Sequence, residues 1–180
     1  MKRLSRRRRF IPVLTPEIQT LAADIAAVLL ERGETVAVAE GSCGGLVSAA
    51  LLSVPGASAY YVGGAVIYTG PGRRAFLGDV IEIPPGLRGA TEVFARYAAQ
   101  AMRARLGTTW AVGEGGAAGP SGNPYGDPPG HAWLAVSGPV EATRHVLTGD
   151  DERVANMTAF TTALLALLLE TIRAADQPSP

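Results

Sequence analysis

The stretch that most constrains this chain runs from Thr15 to Gly45. Thr15-Pro16-Glu17 has the form of a helix start: a hydroxyl able to cap free N–H groups, a proline at the first helical position and an acid in the first turn. Ile18, Leu21, Ile25, Val28 and Leu29 then recur at helical spacing as far as Arg32, and Gly33 is placed to end the helix. Residues 35–39 are few, apolar and partly β-branched, which predicts a buried strand. A glycine-bracketed turn at 41–45 follows at once, with a second helix predicted from about 43 to 53. A helix, a buried strand, a tight turn and another helix in so short a span point to a sheet covered by helices.

The alternation continues. A short helical turn near Ser58 precedes a strand at 65–68, then a short helix at 71–77 and a loop at Pro84-Pro85-Gly86. Val93, Tyr97, Ala101, Met102 and Leu106 mark a long amphipathic helix over 91–106, and a strand follows at 109–112. Residues 114–130 read as one glycine- and proline-rich loop, longer than the ~12–15 residues at which loops in compact domains are usually functional. Strands at 132–136 and 143–147 pair around Ser137-Gly138-Pro139, and a helix over 150–175 closes the chain. The expected fold class is α/β: a single-domain, three-layer α/β/α sandwich on a mainly parallel or mixed central sheet. Ligands of such sheets bind at the C-terminal ends of strands. The 41–45 turn, the segment after Tyr68 and the 115–130 loop all follow strands and are expected to meet at one edge.

Composition narrows the function. Apolar residues make up 47% of the 180, enough for a sizeable core. The formal net charge is zero, yet Lys2, Arg3 and Arg6 to Arg9 carry six of the sixteen basic residues, so the rest of the chain is acidic. Residues 1–14 read as a disordered basic tail and 176–180 as a flexible one, with the domain at 15–175. An acidic body makes nucleic-acid binding through the tail the weakest of the functional readings. The proline-broken run at 10–16 is too short for a signal peptide's apolar region, and no apolar run approaches the ~18 residues of a membrane span. The single Cys43 excludes an internal disulfide and suits a reducing cytoplasm. Two histidines and one cysteine, far apart, give no zinc spacing, and no cofactor or metal is expected.

Several short motifs resemble the CinA C-terminal domain family, which includes bacterial nicotinamide mononucleotide deamidases. Ala39-Glu40-Gly41-Ser42-Cys43-Gly44-Gly45 is similar to that family's Ala-Glu-Ser-Cys-Thr-Gly-Gly; Pro55-Gly56-Ala57-Ser58 and Tyr68-Thr69-Gly70-Pro71-Gly72-Arg73 follow, then Gly115-Gly116-Ala117-Ala118-Gly119-Pro120, then Pro129-Gly130-His131-Ala132-Trp133. The resemblance spans roughly 15–172 and implies a serine amidohydrolase acting on the carboxamide of a nicotinamide nucleotide or related small molecule. It further implies self-association and likeness to the family's stand-alone form. It assigns Ser58 as nucleophile, Tyr68 as its helper and Arg73 to the position of the family's basic lysine. Glu40 to Gly45, Gly115, Gly116, Ala117, His131 and Arg153 are assigned to substrate binding. Independently, the 41–45 turn at a helix start offers free N–H groups to an anion.

Departures from the motifs matter as much as the matches. A guanidinium, with a pKa above ~12, is no general base, so Arg73 is expected to hold a carboxylate or phosphate instead. Gly115 removes a hydroxyl, and Asp151 stands where the family has an arginine that Arg153 would partly replace. Glu40 or His131 would then have to serve as base. A Cys43/His131 couple is a further candidate, since a helix start lowers a thiol pKa. The rival to an amidohydrolase is a catalytically silent nucleotide-binding or regulatory protein on the same fold.

Overall fold

The computed structural model describes residues 14–175; the readings of a basic N-terminal tail and of the 176–180 tail lie outside the described residues. Helix α1 (Pro16–Arg32) starts with Thr15 Oγ1 accepting the Ile18 N–H at 3.2 Å and ends at Gly33, whose φ of 63° lets its N–H reach the Leu29 and Leu30 carbonyls. Then follow β1 (Val36–Glu40), α2 (Leu46–Leu52), a 3₁₀ turn (Ala57–Ala59), β2 (Tyr61–Val66), α3 (Gly70–Leu77) and α4 (Glu92–Leu106). Strands β3 (Trp110–Ala117), β4 (His131–Ser137) and β5 (Ala142–Leu147) precede the closing helix α5 (Arg153–Ala174).

The five strands form one mixed sheet in the order β2-β1-β3-β4-β5. β1 is parallel to both its neighbours, and β3, β4 and β5 are mutually antiparallel. All of β1 is buried, and its side chains divide between two cores. Val36 and Val38 join the core under α1, α2 and α5; Ala37 and Ala39 join that under α3 and α4. The architecture is therefore the expected three-layer sandwich, with a mixed rather than all-parallel sheet.

Several boundaries differ from the sequence expectation, each for a packing reason. β2 begins at Tyr61 rather than 65, because Gly63 and Gly64 hide a paired strand. A Cβ on Gly64 would fall 2.9 Å from the Val38 carbonyl oxygen, so this strand has room for nothing larger. α2 starts at Leu46 rather than about 43. β3 runs on to Ala117 instead of stopping at Val112, and so absorbs the start of the expected loop. Its Gly113 lies under α4, where a Cβ would sit 2.5 Å from the Ala99 amide nitrogen. α5 starts at Arg153, with the Glu152 carboxylate accepting the Ala155 N–H at 3.1 Å as its cap. This helix is long and apolar enough to cross a membrane by length and composition alone. Here Phe160, Leu164, Leu165, Leu168 and Ile172 bury its inner face in the core.

The close approach of α4 to β3 gives a direct test. Gly113→Ala inserts a methyl group between two backbones that have no side-chain freedom to yield. It should destabilise the fold by about 2–3 kcal/mol, the upper part of the overpacking range, read as a lower urea midpoint at unchanged slope.

Candidate functional site

The parallel strands β1, β2 and β3 end at the same edge of the sheet, and antiparallel β4 begins there, His131 pairing with Ala117. The 41–45 turn, Tyr68, Arg73, residues 115–117, His131 and Arg153 all gather at this edge, as expected. Ser58 does not. It lies exposed in the 3₁₀ turn before β2, and β2 then carries the chain across the sheet to Tyr68. Six strand residues at ~3.3 Å each put Ser58 on the order of 20 Å from the Tyr68 end. Within one chain Ser58 and the Tyr68–Arg73 segment therefore lie at opposite ends of β2 and do not meet at one reacting atom.

The 41–45 turn is also not an open anion site, because two fully buried carboxylates of the chain itself occupy it. Glu114, from β3, accepts the Gly41 N–H at 2.6 Å and the Cys43 N–H at 2.7 Å on Oε1, and the Ser42 hydroxyl at 2.5 Å on Oε2. Glu40, closing β1, accepts the N–H groups of Gly45, Val47 and Ser48 at 2.8, 3.1 and 2.9 Å, and the Ser48 hydroxyl at 2.5 Å. The helix-start argument was right about the kind of partner and wrong about its source. Burial pushes the Glu114 carboxyl up from its ordinary range; the Cys43 N–H and the Ser42 hydroxyl pull it back, and the Glu40 charge adds to the rise. With four donors already on it, Glu40 has no free lone pair directed at a substrate and is not a general base.

Cys43 and His131 are likewise not a couple. Cys43 is fully buried in the core on the α1 and α5 side. Burial, then Glu114 and Glu40, push its thiol well up, the reverse of the helix-start expectation. His131 instead bonds the Ala90 carbonyl through Nε2 at 2.8 Å and His145 through Nδ1 at 2.9 Å, which commits both ring nitrogens.

What the edge does present is a cleft of about 300 Å³ with Tyr68, Arg73, Arg88, Phe94, Gly116 and Tyr125 among its walls. Tyr68 and Gly116 are shared with a neighbouring cleft of about 310 Å³ formed by residues 116–124 and Arg153. Arg153 donates to the Tyr68 hydroxyl at 2.8 Å and to the Gly119 carbonyl at 2.7 Å, so the arginine at the start of α5 does reach the tyrosine after β2. Arg73 donates to the Leu87 carbonyl at 3.3 Å, and its buried Nε has no partner among the described residues. Gly115 turns toward α4, where a Cβ would come 2.7 Å from the Phe94 ring, so Phe94 fills the space of the missing side chain. Among the described residues no group of three or more His, Cys, Asp or Glu is placed to hold a metal ion.

Three cleft-shaping positions were not among the sequence candidates: Arg88, whose guanidinium lies 5.3 Å from the centre of the Tyr125 ring, Asn123, which turns the loop by accepting the Tyr125 and Asp127 N–H groups, and the buried Asn156. Asn156 donates to the Ala118 and Asp150 carbonyls at 2.9 and 2.8 Å, pinning the second cleft to α5. An amide side chain on the buried face of an apolar helix was a visible signal for it.

Comparison with known proteins agrees with this architecture. The model of the CinA C-terminal domain family matches residues 18–172. This chain belongs to the CinA C-terminal domain family. A CinA-like protein of Anaeromyxobacter sp. (strain K) is 38% identical over 138 residues, 76% of this chain and 34% of that protein. A CinA-like protein of Prochlorococcus marinus (strain MIT 9313) is 37% identical over 121 residues, 67% of this chain and 28% of that protein. The chain thus spans about a third of the length of these curated relatives. Among solved structures, the competence/damage inducible protein CihA from Agrobacterium tumefaciens superposes with a TM-score of 0.80 at 27% identity, covering 93% of this chain and 100% of that one. A CinA superfamily protein from Klebsiella pneumoniae gives a TM-score of 0.80 at 23% identity over 87% of this chain and 98% of that one, a likeness of fold.

Within this CinA fold the Glu114 anchor makes a pH-dependent prediction. A carboxyl whose folded pKa is raised holds more protons folded than unfolded. Its neutral form therefore stabilises the fold, and stability falls as pH rises from the ordinary Glu value near ~4.3 through the folded pKa. Cys43, also raised, adds the same slope only above its ordinary value near ~8.5. Between about pH 5 and pH 8 wild type should lose stability to urea, and Glu114→Gln, neutral and of the same shape, should lose that slope. Glu114→Ala strands two N–H groups and a hydroxyl and should cost about 3 kcal/mol or more at any pH in this range.

Proposed function

We propose that this CinA-domain chain binds a phosphorylated, nucleotide-like small molecule at the strand edge and does not hydrolyse it through Ser58. The observation carrying this reading is the set of three arginines around the clefts, Arg73, Arg88 and Arg153, none of which has a carboxylate partner among the described residues. Guanidinium groups with spare N–H donors in a concave site favour an oxyanion, each charge-assisted bond contributing about 1.5–3 kcal/mol. The exposed faces of Tyr68 and Tyr125 offer stacking to a planar ring. The resemblance to nicotinamide mononucleotide deamidases supplies the ligand class.

Amide hydrolysis needs a nucleophile, a base and an oxyanion site within ~3 Å of one carbon. Ser58 is at the far end of β2, Cys43 is sealed in the core, Glu40 and Glu114 are bonded to the turn, and Arg73 holds its proton. The reading is therefore of a binding protein built on an amidase fold.

Calorimetry with nicotinamide mononucleotide, alongside an ammonia-release assay, tests it. The expected outcome is saturable binding that weakens about tenfold or more in Arg73→Ala, with no ammonia above background. Ammonia release that Ser58→Ala abolishes would overturn the proposal and restore the amidohydrolase reading.

A further inference from the structure

The two clefts repeat one arrangement. In the first, the Arg88 guanidinium lies 5.3 Å from the centre of the Tyr125 ring; in the second, that of Arg153 lies 5.8 Å from the centre of the Tyr68 ring. Each half thus offers a cation beside an aromatic face, the pair of contacts that a phosphate next to a planar base calls for. Tyr68, Gly116 and Asn123 belong to both linings, so the halves are neighbours across a common wall.

Charge and size agree. No carboxylate lines either half. Three nearby acids are engaged elsewhere: Asp127 accepts from Asn123 Nδ2 at 2.7 Å, Asp150 accepts the Glu152 N–H at 2.9 Å, and Glu152 caps α5. Each half, at about 300 Å³, stands at the lower limit of small-molecule sites, which run from ~300 to ~1,000 Å³. Arg153 spends one N–H on Tyr68 and one on Gly119, leaving further donors for a ligand.

We infer that the clefts are two halves of one site for a dinucleotide, its two nucleotide halves joined by a pyrophosphate that crosses beside Tyr68. This rests on the nucleotide-binding reading above and specifies its ligand class. Arg88 and Tyr125 would take one half, Arg153 and Tyr68 the other, with Arg73 facing the bridging phosphates from the first cleft.

The test uses the full chain with NAD, nicotinamide mononucleotide and AMP as probes. Calorimetry should give one NAD per chain, bound at least tenfold tighter than either mononucleotide. Arg88→Gln and Arg153→Gln should each weaken NAD about tenfold. Because Arg153 also holds the Gly119 loop, its variant is first compared with wild type by thermal melting. Equilibrium dialysis of wild type supplies a readout that needs no variant: the mononucleotides should fill two places per chain and NAD should displace both. NAD binding no tighter than nicotinamide mononucleotide, or a mononucleotide stoichiometry of one, would overturn the two-half site and leave single-nucleotide binding standing. No binding of any probe would overturn both readings together.

Discussion

Two buried carboxylates with no cation beside them hold the functional edge of this molecule together. Charged groups of this kind are tolerated away from water only when donors surround them, and the 41–48 segment supplies those donors from its own backbone. Glu40 ends β1 and grips the start of α2; Glu114 reaches over from β3 and grips the turn between them. One strand end, one turn and one helix start are thereby fixed against the neighbouring strand. This decides where an external anion can go. N–H groups that would otherwise welcome a phosphate are satisfied from within. The arginines at the clefts, which have no carboxylate partner among the described residues, lie instead on α3, on the segment before α4 and at the start of α5.

The arginine at position 73 acquires its meaning from that shift. A lysine in a dry pocket can lose its proton; a guanidinium cannot, but it presents a rigid fork of donors. Arg73 already ties α3 to the Leu87 carbonyl while keeping a buried, unpartnered Nε. His131 holds the same strap from its other end, at Ala90, whose φ of 57° is rare for a residue with a Cβ. The strap carrying Arg88 is thus tied on both sides of that residue. A cation so placed loses little freedom when an anion arrives, which is where preorganised sites gain affinity.

How much of this could be read in the sequence depended on the range of the interaction. Thr15 and Gly33 declared α1 because caps and glycine turns are local chemistry, and the pairing of β4 with β5 followed from two short runs around Ser137-Gly138-Pro139. Signals failed where a distant element supplied the reason. Gly113 and Gly115 fell outside the expected strand because glycine is weak in strands, yet α4 and Phe94 press on them and leave room for nothing larger. Glu114 read as a polar loop residue because its partners lie more than seventy positions away in the turn after β1. Ser58 shows the same limit in the site. Spacing placed it ten residues from Tyr68 without showing that the intervening strand separates them, which only the sheet topology reveals.

The division of labour within the fold explains how the chain keeps a family architecture while residues at its edge depart from the family motifs. Core packing depends on faces of β1, β3, α4 and α5 that meet the cleft only at Phe94 among the core residues of those elements. The cleft residues Arg88, Tyr125 and Asn123 sit on loops whose backbone bonds are local or tied to single carbonyls, so substitutions there leave the sheet's hydrogen-bond ladder intact. Glu114 is the exception, since it lies in the ladder and reaches the turn. Hydrolysis carried by this edge within one chain would require more than a lysine at position 73. It would also require a nucleophile on the near side of the sheet and a turn whose N–H groups were not already held by Glu114.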